Sequence, residues 1–197
     1  MKVAVFGGSF NPPHVAHVLA CVTVLECADV DKVLVIPAFR HPFAKPLASY
    51  EERVEMCRLA MGWLPKVEIS RVEAELGGES RTLRTLQHLR RRYPEWELRL
   101  VMGSDLVAES AKWFRFDDVR ALAPPIVLGR VGFAAGGAPR AVLPAISSTE
   151  VRDLIAQQRW PDLDSLVPRA VLAHVRAHGL YDGTVEAARG QGPDGEG

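Results

Sequence analysis

The chain has 197 residues, 48% of them hydrophobic and 24% charged, and its 24 basic residues are balanced by 24 acidic ones. That length supports one domain with a proper core, and zero formal net charge removes any global attraction to nucleic acid or an anionic membrane, so anion binding must come from a local site. No apolar run approaches the roughly 18 residues of a membrane span, and Cys21, Cys27 and Cys57 form no CxxC pair, which points to buried, reduced thiols and a cytoplasmic protein.

The first apolar run, Val3 to Phe6, predicts a strand buried on both faces, broken at Gly7 and Gly8 into a polar turn. The two glycines give a bulky anion room to approach the backbone. Pro12 and Pro13 predict helix entry, and a helix is expected from Pro13 to about Ala28, with Val15, Val18, Leu19, Val22 and Leu25 as its buried stripe. His14 and His17 fall in its first turn, about 60° apart around the axis, beside free N–H groups that welcome phosphate. As metal ligands the two would need a third donor, for which Cys21 is the candidate.

Val33 to Ile36 predicts a second strand ended by Pro37. The loop from Ala38 to Ser49 carries Arg40, His41 and Lys45 at a strand's carboxyl end, where open α/β sheets place ligands; a solvated basic loop is the plainer reading. A helix follows from about Tyr50 to Trp63, with Val54, Cys57, Leu59 and Met61 inward and Arg53 in its first turns. Val67 to Ser70 is a third strand, and Glu68, Glu73, Glu75 and Glu79 read as a solvated edge. Leu83, Leu86 and Leu89 predict a helix over Thr82 to Arg92, with Arg90 to Arg92 at its dipole-favoured end.

Leu98 to Met102 is a fourth strand, ending in Gly103, Ser104 and the cap former Asp105. Trp113 and Phe114 are core residues or a platform for a planar base. Pro125 to Gly129 and Ala141 to Ile146 are the last strands, separated by a flexible loop over Gly132 to Pro139. Ser147 and Glu150 have capping-box spacing, which starts a helix with Val151, Leu154 and Ile155 inward. Ser148, Thr149 and Arg152 then bring hydroxyls, free N–H groups and a guanidinium to one helix N-terminus, a second anion site. Val167 to His178 is the final helix, and the Gly, Glu and Asp-rich segment from Gly183 to Gly197 has no core formers and reads as disordered. Strands alternating with helices imply an α/β domain over residues 1–182 with a mainly parallel sheet.

These motifs carry a resemblance. GGSFNPPHVAH, SRTLRTL at Ser80 to Leu86, GSDLV at Gly103 to Val107, Trp113, ISSTEVR at Ile146 to Arg152 and HGLY at His178 to Tyr181 are similar to the nicotinate mononucleotide adenylyltransferases of the HxGH-type nucleotidyltransferase superfamily. Ala16 stands where that family usually has glycine and Arg81 where it has tyrosine, and the loop from Arg130 to Pro139 lacks the family's proline-rich form.

The resemblance implies a single Rossmann-like domain of nucleotidyltransferase type, with helices on both faces of the sheet. It implies attack by a mononucleotide 5′-phosphate on the α-phosphate of ATP, releasing pyrophosphate, with Mg²⁺ on the triphosphate. By the same resemblance ATP is held by Gly7, Gly8, Ser9, Phe10, His14, His17, Gly103, Asp105, Ser148, Thr149 and Arg152. Of these His14, His17 and Arg152 are catalytic, while Lys45, Thr82 and Trp113 lie on the acceptor side. The partners implied are small molecules, ATP and a pyridine mononucleotide, with neither nucleic acid nor membrane; a homo-oligomer stays open. Nicotinamide mononucleotide or pantetheine phosphate as acceptor, or a non-catalytic nucleotide sensor, are the alternatives. A dinucleotide-dependent oxidoreductase is disfavoured because the first turn lacks GxGxxG and the second strand ends in Pro37, Ala38 and Phe39.

Overall fold

The structure is a computed structural model and describes residues 1–40, 47–109, 115–132 and 141–182. His41, Lys45, Trp113, Phe114, most of the glycine-rich loop and the C-terminal tail lie outside the described residues.

Six strands form one sheet in the order β3-β2-β1-β4-β5-β6. They are β1 (Lys2–Gly8), β2 (Lys32–Pro37), β3 (Val67–Ile69), β4 (Glu97–Gly103), β5 (Pro125–Arg130) and β6 (Ala141–Leu143). Every neighbouring pair is parallel. The strands are apolar on both faces because helices cover both. Ala4, Val33, Val35 and Val101 face one core and Val3, Val5, Leu34, Leu98 and Leu100 the other, following the period of two. The first core is closed by α1 (Val15–Cys27), α2 (Tyr50–Met61), α7 (Ser148–Ala156) and α8 (Arg169–Ala177). The second is closed by α3 (Val72–Leu76), α4 (Thr82–Arg92) and α6 (Phe116–Leu122). A short helix α5 (Ser104–Glu109) follows β4 directly, and a 3-10 turn covers Trp160–Leu163.

Several expectations change. β1 continues through both glycines, which pair in register with Ile36 and Pro37, so the turn begins at Ser9. α1 starts two residues after Pro13, with His14 as N-cap. Its buried face is Ala16, Ala20, Cys21 and Val24, while Leu19 and Val22 are exposed. Small side chains on the inner face let the helix lie close to the sheet, with Val15, Val18 and Leu25 half-buried against the same core. Cys27 is exposed, whereas Cys21 and Cys57 are buried. Glu73 and Glu75 lie on α3, absent from the strand-edge reading, and α6 and the 3-10 turn were not anticipated either. β6 ends at Leu143, short of Ile146, because the chain turns there to cap α7. Among the described residues no helix is long and apolar enough to cross a membrane.

Candidate active site

β1 and β4 lie side by side at the centre of the sheet, and the strand order runs outward from them in opposite directions. In an open parallel sheet the crevice at the carboxyl ends of such a pair is where ligands bind. Both strand ends are glycines. Gly7 is exposed and a Cβ there would meet nothing within 4 Å, so its surroundings are open. A Cβ on Gly8 would come within 3.1 Å of the Phe10 ring, so Gly8 makes room for a phenylalanine. At Gly103 a Cβ would lie 2.3 Å from Asp105 Oδ1, so a side chain there would displace that carboxylate.

The turn from Ser9 to His14 is held from below. Phe10 has φ 47°, a strained value for a bulky residue, and its ring is 2% exposed, packed edge-on against Phe6 and His17. Expected at the nucleotide, Phe10 has its side chain in the core. Arg53, 1% exposed, donates from Nε to the Ala48 carbonyl at 3.1 Å and through its terminal nitrogens to the carbonyls of Ser9 at 3.0 Å and Phe39 at 3.4 Å. One side chain thus ties the turn after β1 to the segments on either side of the β2 loop. Asn11 Oδ1 accepts from the Ala48 N–H at 3.0 Å and the Tyr181 hydroxyl at 2.8 Å. Glu73 accepts from the Phe39 N–H and the Thr85 hydroxyl, so it braces the β2 loop where a solvated edge was expected.

His14 and His17 converge as N-cap and third helical residue. The His14 N–H donates to His17 Nδ1 at 3.1 Å, and the two rings lie tilted by 31° with centroids 3.8 Å apart. That bond assigns His17 the neutral tautomer with its proton on Nε2. Burial lowers the His14 pKa to about 4, with the Arg130 guanidinium adding to the shift. His17 is lowered well below its ordinary value by burial, then by His14 and Arg130. His14 Nδ1 is buried without a hydrogen-bond partner, a costly arrangement in a folded protein.

The native state refuses a proton at His14 that the unfolded chain accepts below its ordinary pKa of 6.5. The stability linked to this group is therefore complete above pH 6.5 and is lost as pH falls toward about 4. The loss is on the order of 3 kcal/mol at its limit. Urea midpoints measured from pH 7 to 4.5 should fall more steeply for the parent than for His14→Asn; equal slopes would contradict the burial of a neutral imidazole.

The second motif reaches the first directly. Ser147 caps α7 by accepting from the Glu150 N–H at 3.1 Å. The Ser148 hydroxyl donates to the Pro12 carbonyl at 2.9 Å. Arg152 donates to the Asn11 carbonyl at 2.8 Å, the Ser148 carbonyl at 3.2 Å and the Thr149 hydroxyl at 3.3 Å. The N-terminus of α7 therefore stands against the histidine turn. Arg130, read from sequence as the start of a loop, ends β5 and joins the same site: it pairs with Asp105 at 2.6 Å and donates to the Ile146 carbonyl, and its N–H donates to the Ser104 hydroxyl at 3.0 Å. Thr82 opens α4 on the β2 side, where Ser80 accepts from the N–H groups of Phe39 and Arg40. Lys45 and Trp113 lie outside the described residues.

The crevice thus offers two neutral imidazoles, two guanidiniums, a helix N-terminus and an open strand end, a set suited to phosphoryl oxygens. The carboxylate in this set, Asp105, is engaged by Arg130. The donors therefore fit a Mg²⁺ that arrives on phosphate oxygens and water, not one held in a protein cage.

A family model described as cytidylyltransferase-like matches residues 5–154. A protein of Anaeromyxobacter dehalogenans named probable nicotinate-nucleotide adenylyltransferase is 50% identical over 186 residues, covering 92% of this chain and 97% of its own length. A Thermus thermophilus protein of the same name is 35% identical over 187 residues, covering 92% of this chain and 100% of its own. Among solved structures, Plasmodium falciparum nicotinic acid mononucleotide adenylyltransferase complexed with NaAD matches with a TM-score of 0.81, over 93% of this chain and 98% of its own, at 18% identity. At that identity the likeness is one of fold.

Proposed function

We propose that the reaction is adenylyl transfer from ATP to nicotinate mononucleotide in NAD biosynthesis, from the premise that the chain belongs to the cytidylyltransferase-like family and, within it, to the nicotinate-nucleotide adenylyltransferases. The observation that carries the reading is the direct bonding of Arg152 and Ser148 to the carbonyls of Asn11 and Pro12, which unites two phosphate-binding elements at the switch point of the sheet.

In this reading the 5′-phosphate of nicotinate mononucleotide attacks the α-phosphorus of ATP. A new P–O bond forms, the α–β bridge breaks, and deamido-NAD and pyrophosphate leave. The nucleophile is already an anion, so no protein base is required and catalysis is positioning plus charge stabilisation. His17, with its Nε2 proton, and His14 donate to the α- and β-phosphate oxygens; anionic phosphate beside them favours their protonated forms as charge develops. Arg152 and the α7 N-terminus, with Ser148 and Thr149, receive the departing pyrophosphate. Gly7 leaves the triphosphate room, the backbone of Gly8, Ser9 and Phe10 borders it, and Gly103 and Asp105 face the adenosine ribose. Lys45, Thr82 and Trp113 belong to the acceptor side. Mg²⁺ bound to the triphosphate supplies charge neutralisation. Soluble nucleotide substrates on both sides support a cytoplasmic setting.

The test is to follow pyrophosphate release with ATP and, in parallel, nicotinate mononucleotide, nicotinamide mononucleotide and pantetheine phosphate. The first acceptor is expected to give the highest kcat/KM. Preference for another would reassign the acceptor, and ATP binding without pyrophosphate from any of them would leave a nucleotide sensor. Arg152→Ala should lower kcat/KM for ATP by about 100-fold, and an unchanged ATP dependence would remove the arginine from the pyrophosphate end.

A further inference from the structure

A second cluster of chemistry-bearing side chains lies where α2 packs against α8. Glu52 projects from the first turns of α2, and His174 and His178 stand four residues apart at the end of α8. Their donor atoms all lie within 4.8 Å of one another. Glu52 Oε2 is 2.5 Å from His174 Nε2 and its Oε1 is 3.0 Å from His178 Nδ1. The two imidazoles lie tilted by 30° with centroids 4.1 Å apart. The side chains of His174 and Glu52 are 12% and 25% exposed and that of His178 is 46% exposed, so the cluster is walled by protein on one side and open to water on the other.

Metal-bound donor atoms at about 2.0–2.1 Å from a tetrahedral ion are roughly 3.3 Å apart, and the donor atoms here already lie within 4.8 Å of one another. Two imidazoles and one carboxylate with a solvent-facing fourth position form the donor set that borderline transition metals prefer, and one that magnesium and calcium do not. Two histidines four apart on a helix lie on the same face, and the carboxylate comes from a different helix, so a metal would exchange the hydrogen bonds that already join α2 to α8 for a coordinate cross-link.

We propose that Glu52, His174 and His178 bind a divalent transition metal of the zinc class, with water as fourth ligand, at a site separate from the ATP-associated Mg²⁺. The metal would lock α8 onto α2. That junction lies next to Arg53, which holds Ser9, and three residues before Tyr181, which holds Asn11. The site stands on these three residues alone and does not depend on the adenylyl acceptor.

The full chain, stripped with EDTA and dialysed, is titrated with Zn²⁺ against a chromophoric chelator at pH 7.5. One equivalent should bind with Kd of about 10 µM or tighter. Each of Glu52→Gln, His174→Ala and His178→Ala should weaken it by at least about tenfold, the lower end of what disturbing a metal site costs. Zn²⁺ should also raise the Tm of the parent by about 5 °C, an increase absent from His178→Ala, whose half-exposed ring can be removed without opening the core. No equivalent bound below about 100 µM would overturn the proposal, leaving a hydrogen-bonded triad. So would binding unchanged in all three variants, which would move the metal elsewhere, as to the exposed Cys27.

Discussion

His17→Ala is expected to lower kcat and kcat/KM together by about 10²–10³-fold, the range for removing one preorganised donor to a developing charge. The ring donates from a fixed position, because its Nδ1 is occupied by the His14 N–H and its faces are bounded by His14, Phe10 and Phe6. The same contacts make the variant slightly less stable. It loses about 1 kcal/mol of ring packing, which in a chain of this size shifts Tm by about 3 °C. Steady-state pyrophosphate release and a thermal scan on the same preparation separate the two effects. Turnover within tenfold of the parent would remove His17 from the transition state, and a fall in kcat with a large loss of Tm would make its role structural.

Arg53→Ala should produce the opposite profile, a loss of stability first and of activity through it. The guanidinium is buried and donates to the carbonyls of Ala48, Ser9 and Phe39. Burial lowers its pKa, but Tyr181, Cys57, Tyr50 and Glu73 oppose the shift, and a guanidinium remains charged in proteins. Truncation leaves three acceptors without their donor and empties the volume of a fully buried side chain. The expected cost is about 3–4 kcal/mol, or about 10 °C in Tm. Arg53→Lys should recover only part of it, since one ammonium cannot span three carbonyls set in a fork. A Tm within 2 °C of the parent would show that the three segments hold together without it.

The elements most legible in the sequence are those whose signals are local. α4 runs over Thr82–Arg92 as its leucine spacing predicts, and Ser147 caps α7 through the Glu150 N–H. The central strands need only an apolar run to be recognised. α3 and α6 were missed because helices of five and seven residues carry too few turns for a period to register. On α1 the predicted stripe holds at Val15, Val18 and Leu25, which pack against the core, and fails at Leu19 and Val22, because Leu and Val outrank Ala in hydrophobicity whereas the closeness of helix to sheet selects for size at Ala16 and Ala20.

The site divides in the same way. His14, His17, Ser148, Thr149 and Arg152 are visible in order because their residue types and short spacings already state a phosphate chemistry. Arg53, Glu73 and Arg130 are not, because each draws its role from partners far along the chain. Arg53 reaches back 44 residues to Ser9, Glu73 reaches 34 to Phe39, and Arg130 reaches 25 to Asp105. An arginine in a helix or at a strand end reads as surface, and nothing within one or two turns contradicts that reading. Residue type and local spacing determined the class of fold and the two anion-binding motifs, and the motifs' resemblance to a known family implied the type of reaction they serve. Packing decided that the motifs meet through Arg152 and Asn11, that His14 is buried and His17 half-buried with their pKa values lowered, and which charges support them from beneath. Burial and long-range hydrogen bonding are properties of segments brought together, and a local pattern carries neither.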